Sequence, residues 1–261
     1  MLKIATWNVN SIKARKERFA AWLQRHEPDV LCLQELKVEA DAFPHELATE
    51  AGYRSLINAQ RTYNGVAILA KQELVDPRHG FGDGDAAKDP QARHVEATVA
   101  GVRVICVYVP NGGDGAGEKW TYKLAWLERL LAYLARTHDP NQPLVLCGDL
   151  NIAPDDKDVA RPDEWRNTVL CLPEAREAFQ RLLAWGLVDV TRKHHPDGGV
   201  YSYWDYRMLG FQKGNGIRID HILATTPLAD TCVSAAVDRD ERKGKLPSDH
   251  APVYAQFAWP A

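Results

Sequence analysis

Acids and amides close the short apolar runs of this sequence. Thr6-Trp7-Asn8 ends the first run, Leu33-Gln34-Glu35 the second and Gly148-Asp149-Leu150-Asn151 a later one. Arg218-Ile219-Asp220 lies inside another, and Ser248-Asp249-His250 precedes the last. A strand driven only by burial gains nothing from a carboxylate at its end, because a lone buried charge must be hydrated, paired or bound to metal. Carboxylates converging from distant segments onto one rim would form an oxygen-rich site suited to Mg2+ or Mn2+. Each residue alone has an ordinary reading. A strand-end Asp caps a helix or forms a turn, Glu35 next to Lys37 is solvated surface, and His250 is a satisfied histidine. The set, taken in its order, outweighs these.

A histidine in such a site needs a partner to fix its tautomer and stabilise its cation. Asp249 is its chain neighbour, and in an extended segment neighbouring side chains point to opposite faces. Asp220, inside another apolar run, is the better candidate. Zinc is not expected. The five cysteines, Cys32, Cys106, Cys147, Cys171 and Cys232, show no CxxC spacing, and their odd number argues against a disulfide framework. Three of them sit in apolar runs as small buried hydrophobes.

The elements that must position these groups are short strands alternating with amphipathic helices. Strands are expected at Lys3–Val9, Asp29–Gln34, Gly65–Ala70, His94–Val99, Val102–Val109, Leu144–Gly148, Tyr201–Trp204, Ile217–Ala224 and Ala251–Phe257. Helices are expected over Lys13–His26, Glu118–Arg136 and Glu174–Trp185. Their apolar faces carry Phe19, Trp22 and Leu23; Trp120, Leu124, Leu127, Leu131 and Leu134; and Phe179, Leu182 and Leu183. Gly80–Asp89 and Gly112–Gly117 read as loops. No repeat or linker divides the 261 residues, so the expectation is one α/β domain, residues 1–261, of two packed mixed sheets covered by helices. The net charge of −3 does not announce a nucleic-acid binder, so any phosphate-binding surface must be a local basic patch. No leader pattern and no membrane-length apolar run is visible. A reduced, cytoplasmic, monomeric protein without membrane association is expected.

Six blocks make a family resemblance specific. Pro28-Asp-Val-Leu-Cys-Leu-Gln-Glu-Leu-Lys37, Tyr108-Val-Pro-Asn111, Gly148-Asp-Leu-Asn-Ile-Ala-Pro154, Tyr201-Ser-Tyr-Trp-Asp-Tyr-Arg207, Ile217-Arg-Ile-Asp-His-Ile222 and Pro247-Ser-Asp-His-Ala-Pro252 resemble the signatures of the exonuclease III family of apurinic/apyrimidinic endonucleases, in that family's order. Asp189-Val-Thr-Arg-Lys193 departs from the more usual Asp-Ser-Phe-Arg, and the stretch from Lys213 to Arg218 shifts an expected Asn by one position. The resemblance implies a DNase I-like four-layer α/β sandwich. It also implies a Mg2+-dependent DNA phosphodiesterase, with Mn2+ as substitute, acting on double-stranded DNA at abasic sites or 3′ ends.

By the same resemblance Glu35 binds the metal, helped by Asn8 or Asn10, with Asp249 contributing directly or through water. Asp149 orients and deprotonates the attacking water beside Asn151. His250, held by Asp220, serves as general base or charge stabiliser, and Tyr108 and Asn111 donate to the phosphate. Tyr203, Trp204, Ile217 and Ile219 resemble an apolar pocket for a base-free sugar, although plain core is the competing reading of each. Arg218 and Arg207 are expected on the substrate side. The cations Lys13, Arg15, Lys16, Arg61, Lys213, Arg239, Arg242, Lys243 and Lys245 are candidate phosphate contacts. The alternatives are another phosphodiesterase of the same superfamily, acting as a non-specific DNase or RNase, or a catalytically silent nucleic-acid-binding module.

Overall fold

Apolar and β-branched runs pair into two six-stranded mixed sheets. One is built, in spatial order, from β11 (Cys232–Val237), β12 (Val253–Phe257), β1 (Leu2–Asn8), β2 (Val30–Gln34), β4 (Val66–Ala70) and β3 (Arg54–Asn58). The other is built from β5 (Val75–His79), β6 (His94–Val99), β7 (Val102–Tyr108), β8 (Leu144–Asp149), β10 (Asp220–Thr225) and β9 (Leu187–Asp189). The computed structural model describes residues 1–84 and 89–260. Of the loop expected over Gly80–Asp89, positions 85–88 lie outside the described residues, as does position 261 of the expected domain.

Because strand side chains alternate, each sheet has two faces to bury. Leu2, Ile4, Val30, Cys32 and Ile68 meet Val104, Cys106, Val145, Cys147 and Ile222 between the sheets. Ala5, Trp7, Leu31 and Leu33 point the other way, under α1 (Lys16–His26) and α2 (His45–Glu50), against Phe19, Trp22 and Ala48. Ile105, Val107, Leu144 and Leu146 are covered by α3 (Gly117–Thr137) and α5 (Pro173–Trp185) through Leu127, Leu130, Leu134, Phe179 and Leu182. The order helix, sheet, sheet, helix is the expected four-layer sandwich, and burial on both faces explains why the central strands read as continuous apolar runs. Shorter helices α4 (Pro162–Trp165), α6 (Val190–His194) and α7 (Thr226–Ala229) complete the chain. All five cysteines are free and buried. Among the described residues no helix is long and apolar enough to cross a membrane.

The topology creates one rim. Each sheet contains a central parallel pair, β1 with β2 and β7 with β8. Their carboxyl ends place Asn8 opposite Gln34, and Tyr108 opposite Asp149. Antiparallel β10 then brings Asp220 opposite Asp149. Parallel neighbours thus present their carboxyl ends together, and chemistry spread over the chain meets there.

The structure corrects several boundaries. The first helix begins at Lys16, not Lys13, after a turn in which Arg15 N–H donates to Ile12 O. Tyr201–Trp204 is not a strand: Tyr203 alone makes isolated bridges, to Ile217 and His250. The strand expected from Ile217 starts at Asp220. On α3 the buried face is Trp120, Lys123, Trp126, Leu127, Leu130, Tyr133 and Leu134, with Leu124 and Leu131 only partly buried at its edge.

Candidate active site

Asn8 at the end of β1 organises the acids. Its Nδ2 donates to Glu35 Oε1 at 2.8 Å and to Asp149 Oδ2 at 2.9 Å, bridging two sheets with one amide. Its Oδ1 accepts from the Asn10 N–H at 3.0 Å. Glu35 also accepts from Tyr108 Oη at 2.9 Å and pairs with Lys37 Nζ at 2.7 Å. Burial would raise the Glu35 pKa, but Lys37 and the Asn8 hydrogen bond hold it below the usual carboxylate range. Burial, then the negative charges of Glu35 and Asp149, push Tyr108 well up, so its hydroxyl remains a donor. Lys37 also donates to Asn10 Oδ1 at 2.6 Å, and Asn10 Nδ2 donates to Asp249 Oδ1 at 2.9 Å.

His250 completes the rim. Its Nδ1–H donates to Asp220 Oδ2 at 2.8 Å, as expected, and its Nε2 faces Asp149 Oδ2 at 3.8 Å. The Asp220 carboxylate is set by the turn before β10, where Ser202 Oγ accepts from the N–H groups of Ile219 and Asp220. Ser248 Oγ donates to Asn8 O at 2.7 Å and accepts from His250 N–H, tying the His250 turn to β1. Burial pushes the imidazole pKa down, but Asp220 and Asp149 reverse this and lift it to about 10. Asp149 moves the other way from Glu35. Burial raises it to about 7, His250 opposes, and the nearby Asp220 and Glu35 charges add to the rise. Two carboxylates in one site are thereby held in different protonation regimes.

Among the described residues, the group able to close on one cation is Glu35, Asp149 and His250, whose ligand atoms lie within 4.8 Å of one another. The oxygens fit a hard divalent ion. With Nδ1 taken by Asp220, the His250 nitrogen that faces the gap is Nε2. Asn8 presents its NH2 group to the gap, both polar ends of the Asn10 amide are engaged, and Asp249 is tied to Asn10. Next to Asp149, the Asn151 N–H donates to Asp149 Oδ1 at 2.9 Å and Asn111 Nδ2 donates to Asn151 Oδ1 at 3.0 Å. Glu35 and Asn151 both have left-handed backbones, φ 53° and 52°, and such conformations cluster at functional sites. Gly148 is required one residue before Asp149, since a Cβ there would stand 1.9 Å from Val107 O.

The expected substrate side is only partly assembled. Arg218 is a correction. It is 2% exposed, and its guanidinium lies between Asp158 at 2.6 Å and Asp189 at 2.8 Å. Ile217 and Ile219 belong to the core under α3 and α5, and Trp204 is 1% exposed. Tyr203 is half-buried, with its ring 4.8 Å from the His250 ring. Arg207 is exposed, lining a cleft of about 490 Å³ with Arg161, Lys213 and Trp165. Arg242 is a second correction. It is buried, donates to the carbonyls of Ser248 and Trp204, and lies over the Tyr206 and Phe211 rings, so it joins two loops from beneath the surface. Sequence reasoning missed Ser202, Ser248 and the Lys37 contacts as site elements, although each lies inside a quoted block.

A sequence profile described as Endonuclease/Exonuclease/phosphatase family matches residues 5–250. The chain is 38% identical to exodeoxyribonuclease III of Haemophilus influenzae, covering 98% of this chain and 100% of that one. Among solved structures it is similar to an AP endonuclease from Archaeoglobus fulgidus, with a TM-score of 0.95, 44% identity and coverage of 99% and 100%. It is also similar to the 3′ phosphatase NExo from Neisseria bound to a product DNA hairpin, with a TM-score of 0.94, 40% identity and the same coverage.

Proposed function

The chain belongs to the endonuclease/exonuclease/phosphatase family, and from that membership we propose a divalent-metal-dependent DNA phosphodiesterase of base-excision repair that incises 5′ of abasic sites and trims and cleans 3′ ends. The observation that carries this reading is the convergence of Glu35, Asp149 and His250 within 4.8 Å, on a rim fed by both sheets. The whole chain acts as one catalytic domain.

Asp149, with a pKa near 7 and an adjacent Asn151 N–H, is suited to take a proton from an attacking water. His250, held cationic by Asp220, donates its Nε2 proton to a non-bridging phosphate oxygen. Tyr108 and the Asn111–Asn151 amides are neutral donors for the same phosphate. Glu35 would hold Mg2+ or Mn2+, which would supply charge neutralisation at the phosphate and the leaving oxygen. Tyr203, beside His250, is the apolar wall available to a sugar, and Arg207 and Lys213 are available to flanking phosphates.

One observation favours a second reading, in which 3′-end cleavage outweighs abasic incision. With Ile217, Ile219 and Trp204 at 0–1% exposure, little apolar surface is left to select an extrahelical sugar. One assay tests both readings: a duplex with an abasic site, a blunt duplex, a 3′-phosphate end and RNA, each with EDTA and then with Mg2+ restored. Metal-dependent cleavage of the DNA substrates is expected. Full activity in metal-free buffer would remove the metal from the mechanism, and no cleavage of any DNA would leave the silent binding module.

A further inference from the structure

Beneath the Asn111–Asn151 pair lies a lysine that no step above uses. Lys123 stands on the inward face of α3 and is 0% exposed. Its Nζ donates to the backbone carbonyls of Asn111, at 3.1 Å, and Asn151, at 2.6 Å. Among the described residues it makes no ion pair. Burial pulls its pKa down to about 7, against the opposing pull of Asp149 and Cys171. Either charge state has at least two N–H groups, enough for both carbonyls.

The surrounding backbone is shaped to this side chain. Gly112 has φ +95°, and a Cβ there would stand 2.9 Å from Lys123 Cδ and 2.7 Å from Val169 Cγ2. The Trp120 ring lies 5.7 Å from Nζ. Burying an amine is costly, and a neutral amide could satisfy two carbonyls at lower cost. The two carbonyls belong to the residues whose side-chain amides pair at 3.0 Å, in loops that leave β7 and β8. Asn151 is also the left-handed residue whose N–H supports Asp149. Fixing its carbonyl fixes the peptide that follows the Asn151 Cα, and so limits the swing of the Cα that carries the side-chain amide and joins the peptide bearing the N–H.

We propose that Lys123 is a positioning residue for phosphodiester cleavage: by bridging the Asn111 and Asn151 carbonyls it holds two donor side chains, and the N–H given to Asp149, in the register the phosphate requires. This rests on the functional reading above, and metal-dependent cleavage by the unaltered protein is therefore the control. If that protein does not cleave DNA, the functional reading fails; the variants test only Lys123.

Lys123→Met keeps the buried stem and removes the donors. Its Tm should equal or exceed that of the unaltered protein, while kcat falls by roughly 10-fold or more and KM changes little, as expected for misplaced reacting groups. Lys123→Gln, which restores two N–H groups one atom short, should recover part of kcat. Unchanged kcat in a folded Lys123→Met protein would overturn the proposal. So would a joint fall of Tm and kcat in which Gln recovers neither. Should Lys123→Met fail to fold, Lys123→Leu, which also lacks the donors, takes its place: lowered kcat with KM little changed supports the role, and unchanged kcat refutes it.

Discussion

Strand β10 carries two buried histidine sites on its two faces, and they are built to opposite ends. Asp220 points to the rim and holds His250; His221, the next residue, points away, toward Phe179 on α5. Both imidazoles are nearly or fully buried, and both have carboxylates nearby. His221 Nδ1 accepts from Arg218 at 3.1 Å and its Nε2–H donates to Ile152 O at 2.9 Å, so both nitrogens are satisfied in the neutral form. Burial, then the Arg218 charge, lowers its pKa to about 4. His250 instead has carboxylates on two sides and, among the described residues, no guanidinium bonded to it, and its pKa rises. The interposed arginine makes the difference. Arg218 and Arg192 together neutralise Asp158 and Asp189 and both His221 nitrogens are engaged, whereas the rim keeps excess negative charge, a donor at Nε2 and a buried Asp220 Oδ1 without a hydrogen-bond partner. Burial alone therefore does not mark a functional histidine; unspent hydrogen-bonding capacity does.

The largest expected effect falls on the rim. His250→Asn retains a donor toward Asp220 but loses Nε2, and should lower kcat by about 10² or more while leaving the fold intact. Steady-state rates on an abasic duplex and a 3′-phosphate end, with Tm measured alongside, check this. Near-normal turnover would mean that the two histidines do not differ in role. On the other face the signature should invert. Arg218→Met leaves Asp189 buried without its cation and Asp158 with Arg192 alone, and should cost roughly 3–5 kcal/mol of stability. Urea denaturation reads that loss, and kcat per folded molecule should change much less. If Arg218→Met lost activity at full stability, the expectation that Arg218 serves the substrate would return.

The same contrast explains what was legible in the sequence. The rim residues were, because carboxylates and amides ending apolar runs have no packing reason to be there. Alternation set Asp249 aside as the partner of His250, and the family resemblance agreed on Asp220. The central strands were also legible, being buried on both faces. The strands not foreseen are β11, β3, β5 and β9, which are the four sheet edges. There one side is unpaired and the pattern weak; β5, Val-Asp-Pro-Arg-His, is exposed throughout. Arg218 misled because a charge in a catalytic block reads as substrate-facing, and only the fold shows Asp158 and Asp189 behind it. Lys123 did leave a signal. It falls three after Trp120 and four before Leu127, on the apolar stripe of α3, but a helical lysine is ordinarily solvated.

The smallest effect separates the two histidines by pH. The folded-state pKa of His250 lies above its ordinary value of 6.5, so its contribution to stability is complete below that value and disappears as pH rises through about 10. His221 has the opposite sign. Its folded pKa of about 4 lies below 6.5, so the unfolded chain binds a proton that the folded chain refuses. Stability is then lost as pH falls from 6.5 toward 4 and levels off below. Asp189 and Glu35, held below the usual carboxylate range, lose their contributions at still lower pH. His94 and His26, whose pKa values burial also lowers, share the upper part of the window, so only a difference isolates His221. His221→Gln removes the titration and can keep a donor toward Ile152 O. Urea midpoints for this variant and the unaltered protein, in metal-free buffer from pH 4 to 8, should diverge. The variant should show an acid limb shallower by at most about 1.4 kcal/mol per pH unit, the value of one proton, and an unchanged alkaline limb. Parallel acid limbs would mean that His221 is protonated in the folded state, and that Arg218 does not set the charge of its neighbour.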